Sequence, residues 1–260
     1  MDLAQSSAGF LVGLLVGFTG VGGGSLMAPV MILLLGVSPA TAVGTDLWFA
    51  SITKSVGGAI HRHKRAVDLK VVALLCLGSI PGALLALGLI AASPQMKGSH
   101  GWISPLLGVV LLLTAAATIF RSRLHHLGER LRLHEPIPFK ALQKPLTVIV
   151  GFFIGILVTL TSVGGGALCA TALIFLYPLR LNFRRLVGTD IVHAVPLTLA
   201  AGLGHLWLGN VEWRLLVALL IGSLPGIIIG SLLVHKVREV LIQRALAIIL
   251  VVVALRLIAG

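Results

Sequence analysis

The chain is a series of long apolar stretches separated by short polar connections. Six of the stretches are 19 to 25 residues long, the length that an α-helix needs to cross about 30 Å of hydrocarbon. They do not alternate apolar and polar residues as the strands of a membrane barrel do. The pattern predicts an all-α polytopic membrane protein. The stretches are 3–37, 40–60, 68–92, 102–120, 145–179, 186–208, 213–234 and 240–258.

Two stretches are interrupted by glycine-rich sequences, GVGGGS at residues 20–25 and SVGGGA at residues 162–167. Each glycine costs a helix about 1 kcal/mol relative to alanine, so a helix is expected to break at both. Irregular backbone inside the hydrocarbon layer is tolerated only where protein buries it or where it lines a cavity. Each interrupted stretch is therefore predicted to be a helical hairpin with arms of roughly 12–18 residues and a turn within the protein.

The chain contains two homologous halves. The sequence VGTD at 43–46 returns at 187–190, and GSIPG at 78–82 returns as GSLPG at 222–226, both 144 residues later. The glycine sequences are 142 residues apart. We assign residues 1–120 to the first half, 121–144 to a basic cytoplasmic linker and 145–260 to the second half. The proline of each repeated motif, Pro81 or Pro225, is expected to kink its helix.

The net charge of +12 comes from basic residues between the apolar stretches. Sixteen of the 20 lysines and arginines lie in the connections 61–70, 121–144, 180–185 and 236–244, which the positive-inside rule places in the cytoplasm. The charge is therefore attributed to topology rather than to nucleic acid binding. Each half becomes a hairpin plus three transmembrane helices. Because three is odd, the two halves are inverted, and both termini are predicted outside.

The linker is expected to contain a short helix of its own. Residues 122–135 place Leu124, Leu127 and Leu131 on one helical face, the pattern of a helix that lies in the membrane interface. The histidines of this segment are expected to be solvated.

An inverted repeat with paired glycine-interrupted segments is typical of secondary transporters, which bind substrate near the membrane midplane. The second arm of each hairpin begins with unbonded amides and the positive end of a helix dipole, which suit a small anion. The alternative is that the glycines only allow close helix packing. The candidate substrate-binding residues are Thr19, Gly22, Gly23, Gly24, Ser25, Thr161, Ser162, Gly164, Gly165 and Gly166.

Four further polar residues lie within apolar stretches and are candidates for coupling. Asp46 and Asp190 end the two VGTD sequences, and Lys54 follows Asp46 by eight residues. Buried charge is costly unless it is paired, so each is a functional candidate. Lys54 either holds an anion or relays a proton, or it forms an ion pair with an aspartate that locks the halves together. His193, three residues after Asp190, is expected to hydrogen-bond to it.

The remaining polar groups give no sign of catalysis. Cys76 and Cys169 are expected to be packing residues, and His61 and His205 helix caps rather than gates. The sequence has no Ser-His-Asp set, no HExxH and no paired Cys/His ligands, so no metal, no cofactor and no enzyme activity are predicted.

The repeated motifs resemble a known family. The sequence GFTGVGGGS at 17–25 with Pro29, AVGTD at 42–46 and their second-half counterparts VGGG at 163–166 and VGTD at 187–190 are similar to the sulfite exporter TauE/SafE family of bacterial membrane transporters. The resemblance covers nearly the whole chain. It implies transport of small anions, with sulfite, sulfonates and other organosulfur compounds as the linked substrates. Many members have serine where this chain has Asp46 and Asp190.

The sequence therefore predicts a secondary transporter that moves a small sulfur-containing oxyanion across the bacterial inner membrane with proton coupling. Its partners are the anion, protons and the lipid bilayer, and the sequence specifies no oligomeric state. An anion channel of the same fold is the alternative, and a membrane-embedded enzyme is the less favoured one.

Overall fold

Ten α-helices form the described part of the computed structural model, which covers residues 3–19, 26–63, 67–92, 102–134, 136–233 and 239–259, and no strand occurs in these ranges. The first glycine sequence, residues 20–25, lies outside them. The helices are α1 Leu3–Thr19, α2 Met27–Leu33, α3 Pro39–His63, α4 Leu69–Ala92, α5 Ile103–His134, α6 Pro136–Thr161, α7 Ala167–Leu176, α8 Phe183–Trp207, α9 Trp213–Leu233 and α10 Glu239–Ala259.

Five helices in the described ranges are long and apolar enough to cross a membrane, judged by length and composition. They span Leu69–Ala92, Ile103–Leu133, Lys140–Thr161, Arg184–Trp207 and Trp213–Gly230. Their apolar outer faces and all-helical backbone are those of a polytopic membrane protein.

The two halves of the chain are packed into each other rather than side by side. Helix α1 of the first half packs on α9 of the second half, and α6 of the second half packs on α4 of the first. Helices α3 and α8 also pack together, as do α5 and α10. Each pairing joins the halves, so neither half has a core of its own.

Glycines bring the backbones of these helix pairs together. A Cβ atom added at any of four glycines in α1 and α6 would overlap backbone atoms of the facing helix. The close approaches join Gly9 to Leu219, Gly13 to Ser223, Gly151 to Leu75 and Gly155 to Ser79. Between equivalent contacts the residue numbers of the glycines differ by 142, and the residue numbers of their partners differ by 144. The contact between α1 and α9 is thus the contact between α6 and α4 with the halves exchanged.

Two threonine hydroxyls form a second pair of equivalent contacts between the halves. The Thr45 hydroxyl accepts a hydrogen bond from the Glu212 amide at 3.1 Å. The Thr189 hydroxyl accepts one from the Asp68 amide at 3.0 Å. Each of these contacts from the first half to the second has an equivalent contact from the second half to the first. Such reciprocal contacts are those of an approximate two-fold relation between the halves. The inverted orientation of the halves in the membrane stays a prediction.

The linker between the halves is helical, but the prediction of a separate interfacial helix at 122–135 is wrong. Helix α5 runs without a break from Ile103 to His134. The segment has no proline, and its leucines, arginines and glutamate favour helix, so the transmembrane helix simply continues. His125 and His126 flank Glu129 at 3.5 and 3.4 Å on this extension.

The second hairpin is less symmetrical than predicted. Helix α6 begins at Pro136 rather than near residue 145, and it is 26 residues long. Helix α7 has only 10 residues. Arms of roughly 12–18 residues are therefore wrong for this hairpin, because helix-compatible residues of the linker extend the first arm. Pro81 and Pro225 lie inside the uninterrupted helices α4 and α9.

The close glycine contacts predict a specific sensitivity to added volume. We expect Gly155→Ala to lower the free energy of unfolding by about 1–3 kcal/mol, because the new methyl group forces α6 away from α4. The matched control is Gly88→Ala on α4, where an added Cβ has nothing within 4 Å. Thermal unfolding in detergent measures both. A Gly155→Ala protein at least as stable as Gly88→Ala contradicts the packing.

Candidate functional site

The second glycine sequence breaks the hairpin helix as predicted. Helix α6 ends at Thr161 and α7 begins at Ala167, with Gly166 as its N-cap residue and no side-chain cap. Ser162 has φ 58° and Gly164 has φ 104°, the left-handed region that only glycine adopts without strain. Every residue from 161 to 167 is buried, so this turn lies inside the protein.

The start of α7 presents backbone amides without partners. The Cys169 amide donates to the Gly164 carbonyl at 3.2 Å, and the Ala170 amide donates to that of Gly166 at 2.8 Å. The four preceding amides, of residues 165–168, donate to no group in the part of the chain that the structure describes. Such amides hold the partial positive charge of a helix N-terminus.

The two hydroxyls of this turn have different roles. The Thr161 hydroxyl donates to the Leu157 carbonyl at 2.6 Å and accepts from the Val163 amide at 3.1 Å. It therefore completes the end of α6. The Ser162 hydroxyl is buried and has no hydrogen-bond partner within the described residues. Of the two predicted ligands, only Ser162 has its hydroxyl free for a bound molecule.

Lys54 reaches the glycine turn from helix α3. Its side chain is buried, and its Nζ lies 3.8 Å from where a Cβ on Gly165 would be. Among the described residues Lys54 makes no ion pair within 4 Å with Asp46 or Asp190. The predicted alternative of a close Lys54–aspartate pair that locks the halves is therefore not formed. The ammonium group instead adds positive charge beside the start of α7.

Asp46 lies between the two hairpins. Its carboxylate is fully buried, and neither oxygen has a hydrogen-bond partner with good geometry in the described ranges. The groups that face it are the Ser162 hydroxyl of the second hairpin, Lys54, and the Ala28 backbone of the first hairpin. The Asp46 carboxylate thus lies near both hairpins.

Asp190 is placed similarly beside the second arm of its own hairpin. It is 6% exposed, and its Oδ1 has no partner among the described groups. The Cys169 thiol lies near it, and the positive charges of Lys54 and Arg121 act on it electrostatically. Lys54 is thus near both aspartates without being bonded to either.

His193 does not form the predicted hydrogen bond to Asp190. Its Nε2 lies 2.9 Å from the Ser79 hydroxyl oxygen, and its Nδ1 lies 3.9 Å from Cys169 Sγ. Sequence reasoning assigned Cys169 to packing and gave Ser79 no role, so it missed this buried polar cluster. Only the fold brings α4, α7 and α8 together here.

His205 caps a helix, as predicted, although not its own. The imidazole is buried on α8, and its Nε2 lies 2.9 Å from the Thr159 carbonyl oxygen in the last turn of α6. Its Nδ1 faces the Asn210 side-chain amide at 3.5 Å. The side chain of His61 lies outside the described residues.

An exposed ion pair joins the halves at one end of the bundle. The Arg180 guanidinium donates from Nε and Nη2 to the two carboxylate oxygens of Asp68 at 2.7 and 2.8 Å. Glu212 is the counterpart of Asp68, and Gly36 occupies the position equivalent to Arg180. The second half-to-half junction therefore lacks this pair.

Four predicted ligands of the first hairpin, Gly22, Gly23, Gly24 and Ser25, lie outside the described residues, as does the side chain of Thr19. The structure therefore describes the site from the second hairpin and from helices α3, α4 and α8.

Comparison with known proteins places the chain in a family. The model of the family "Sulfite exporter TauE/SafE" matches residues 6–257. The chain belongs to the sulfite exporter TauE/SafE family. With its apolar helices, this membership makes the chain a multi-pass membrane transport protein. No solved structure matches the chain significantly.

Relatives cover 91–99% of this TauE/SafE chain. It is 40% identical to the probable membrane transporter protein YjnA of Bacillus subtilis (strain 168), over 99% of this chain and 100% of that protein. It is 25% identical to the probable membrane transporter protein YdhB of the same strain, over 91% of this chain and 92% of that protein. A probable membrane transporter protein of Xylella fastidiosa (strain Temecula1 / ATCC 700964) is 24% identical over 95% of this chain and 91% of that protein.

Both carboxylate oxygens of Asp46 and the Oδ1 atom of Asp190 lack hydrogen-bond partners in the described ranges, which predicts that removing either charge stabilises the protein. We expect Asp46→Asn and Asp190→Asn, each alone, to raise the free energy of unfolding by about 1–3 kcal/mol, because a neutral amide is easier to bury than a carboxylate. Asp68→Asn is the matched control and should be destabilising, because it breaks the pair with Arg180. Thermal unfolding of metal-free protein, in detergent at pH 8 with EDTA present, measures all three. If the two buried substitutions destabilise the protein as Asp68→Asn does, the carboxylates have partners and the description of the site is wrong.

Proposed function

We propose that this protein is a secondary transporter that carries a small sulfur-containing oxyanion, such as sulfite or an organosulfonate, across the bacterial inner membrane together with protons. The observation that carries the proposal is the buried start of α7, where four amides without partners among the described residues lie beside the Lys54 ammonium group. We propose a transporter rather than an enzyme, as the family and the names of the relatives indicate.

The donors at this site match an oxyanion. Backbone amides at a helix N-terminus bind anions through hydrogen bonds and the helix dipole. The Ser162 hydroxyl makes no hydrogen bond of good geometry within the described residues, and Lys54 contributes a full positive charge. Each of these groups donates, so an acceptor with several oxygens satisfies them together.

The repeat supplies the second side of the site. Asp46 faces both Ser162 and the backbone of Ala28, so the start of α2 lies near the start of α7. We propose that Thr19 and residues 22–25 complete the anion site from the first hairpin. The glycines expose amides there, and Ser25 provides a hydroxyl.

The buried carboxylates provide the coupling. Two carboxylates and one ammonium lie around the site, so an entering anion is repelled while both carboxylates are ionised. Protonation of Asp46 or Asp190 removes one negative charge and makes anion binding favourable. The anion and a proton therefore bind together.

The proposed inverted relation of the two halves provides a route for alternating access. In the proposed topology the basic connections are cytoplasmic, both termini are outside, and the halves are inverted. Relative movement of the interleaved helices then opens the shared site to one side of the membrane at a time. The Asp68–Arg180 pair stabilises closure at one end of the bundle only.

Lys54 gives the direct test of the anion site. We expect Lys54→Met to abolish uptake of radiolabelled sulfite into proteoliposomes, because the buried positive charge is lost. Lys70→Met is the matched control, since Lys70 is exposed at the start of α4, and it should retain uptake. Wild-type flux through Lys54→Met refutes the role of Lys54.

The glycines of the first hairpin give an independent test. We expect Gly23→Leu to abolish flux while the protein still folds, because the side chain covers the amides that hold the anion. Elution of the Gly23→Leu protein from gel filtration at the same volume as the wild-type protein verifies that it folds. Normal flux through folded Gly23→Leu protein contradicts the proposed contribution of that hairpin.

Counterflow separates the carrier from a channel. We expect vesicles loaded with unlabelled sulfite to accumulate labelled sulfite transiently against its gradient, because a carrier exchanges the anion at one alternating site. A channel shows no accumulation. Chemical loss of sulfite in detergent solution without vesicles would instead indicate the enzyme alternative.

A further inference from the structure

A compact set of buried metal-ligating side chains lies beside the anion site, and only its aspartate, Asp190, also has a part in the proposed coupling. We propose that Cys169, Asp190 and His193 form a binding site for a divalent transition-metal cation, with zinc as the best match. One ligand atom from each residue lies within 4.8 Å of the other two, and all three side chains are buried. This inference does not depend on the proposed function.

Two helices bring the three ligands together. Cys169 lies in the first turn of α7, where the glycine turn directs it toward α8. Asp190 and His193 are three residues apart on α8 and so lie on one helical face. A thiolate, a carboxylate and an imidazole form a donor set that zinc accepts, and three protein ligands leave a fourth tetrahedral position open.

The distances are close to those that a bound cation needs. Zinc–ligand bonds of about 2.0–2.3 Å place tetrahedral ligand atoms about 3.3–3.6 Å apart. The Cys169 Sγ and His193 Nδ1 atoms are already 3.9 Å apart. Small side-chain rotations around a bound ion are sufficient to bring the three donors to bonding distance.

Ser79 orients the imidazole for this role. Its hydroxyl oxygen lies 2.9 Å from His193 Nε2. When Nε2 donates to that oxygen, Nδ1 presents its lone pair toward Cys169. A ligating histidine whose other nitrogen is hydrogen-bonded is the usual arrangement around protein-bound metals.

A divalent cation also balances the buried charge. The buried carboxylates and ammonium among the described residues are Asp46, Asp190 and Lys54. A divalent cation with the Cys169 thiolate and Asp190 sums to zero, and Lys54 with Asp46 sums to zero. The Asp190 Oδ1 atom, which has no protein partner in the described ranges, then has a ligand.

The site belongs to the second half only. Asp46 is the equivalent of Asp190 at the repeat spacing of 144, but Phe49 is the equivalent of His193. A phenyl ring cannot ligate a metal. One cation per chain is therefore expected, whereas the anion site draws on both hairpins.

Cobalt binding tests the proposal through a spectroscopic signal. We expect purified, tag-free wild-type protein to bind one Co²⁺ per chain, with a thiolate-to-cobalt charge-transfer band and intense tetrahedral ligand-field bands that Zn²⁺ abolishes. Cys169→Ser should remove the charge-transfer band, and Ser79→Ala should weaken binding by about 10–100-fold. Cys76→Ser, which replaces the other thiol, should keep the wild-type spectrum.

Two outcomes overturn the site. One is folded wild-type protein, verified by its gel-filtration peak, that shows no cobalt–thiolate band at any Co²⁺ concentration. The other is a band that survives Cys169→Ser and disappears in Cys76→Ser. Lys54→Met separates this proposal from the anion site, because that variant should lose sulfite uptake and keep the cobalt spectrum.

Discussion

Four backbone amides at the start of α7 are buried in an apolar bundle without protein partners in the described chain. In hydrocarbon such groups are costly, and a continuous helix avoids them. Residues 162–166 break the helix nonetheless, and Ser162 holds a left-handed backbone conformation to do so. The proposed anion would remove this cost by accepting hydrogen bonds from the amides. Lys54, Ser162 and Asp46 lie close to the start of α7.

The glycine contacts between helices make the broken hairpin possible. Helix α6 lies against α4 with backbone-to-backbone contact at Gly151 and Gly155, and α1 lies against α9 in the same manner. Inside a membrane the hydrophobic effect does not drive helices together, because lipid tails are as apolar as the helix surfaces. Close backbone contact instead stabilises the helix pairs through dispersion attraction. Because every one of these contacts joins the two halves, a movement of one half changes the site that both halves enclose.

Much of this could be predicted from the residues. The glycine runs identified the helix break, the 144-residue spacing identified the halves, and the apolar flanks showed that Asp46, Lys54 and Asp190 are buried. These signals are local or periodic. The continuous helix α5 was not predicted, since a change from apolar to basic composition marks the end of the hydrocarbon layer and not the end of a helix.

The finer arrangement of the site depends on tertiary contacts, which leave no periodic signal. No spacing shows that Thr161 closes the end of α6 while Ser162 stays free, or that Lys54 approaches the backbone of Gly165 rather than an aspartate. The Ser79–His193–Cys169 cluster joins residues up to 114 positions apart on three helices. Its members look like ordinary packing residues until the helices meet.

The most direct measurement is an experimental structure with selenite, the heavier analogue of sulfite, located by its anomalous scattering. The account predicts a selenium peak within hydrogen-bonding reach of the amides of residues 165–168 and of Lys54 Nζ. A peak elsewhere would contradict it, for example in the cavity of about 110 Å³ beside Trp102, His205 and Asn210 with none at the glycine turn.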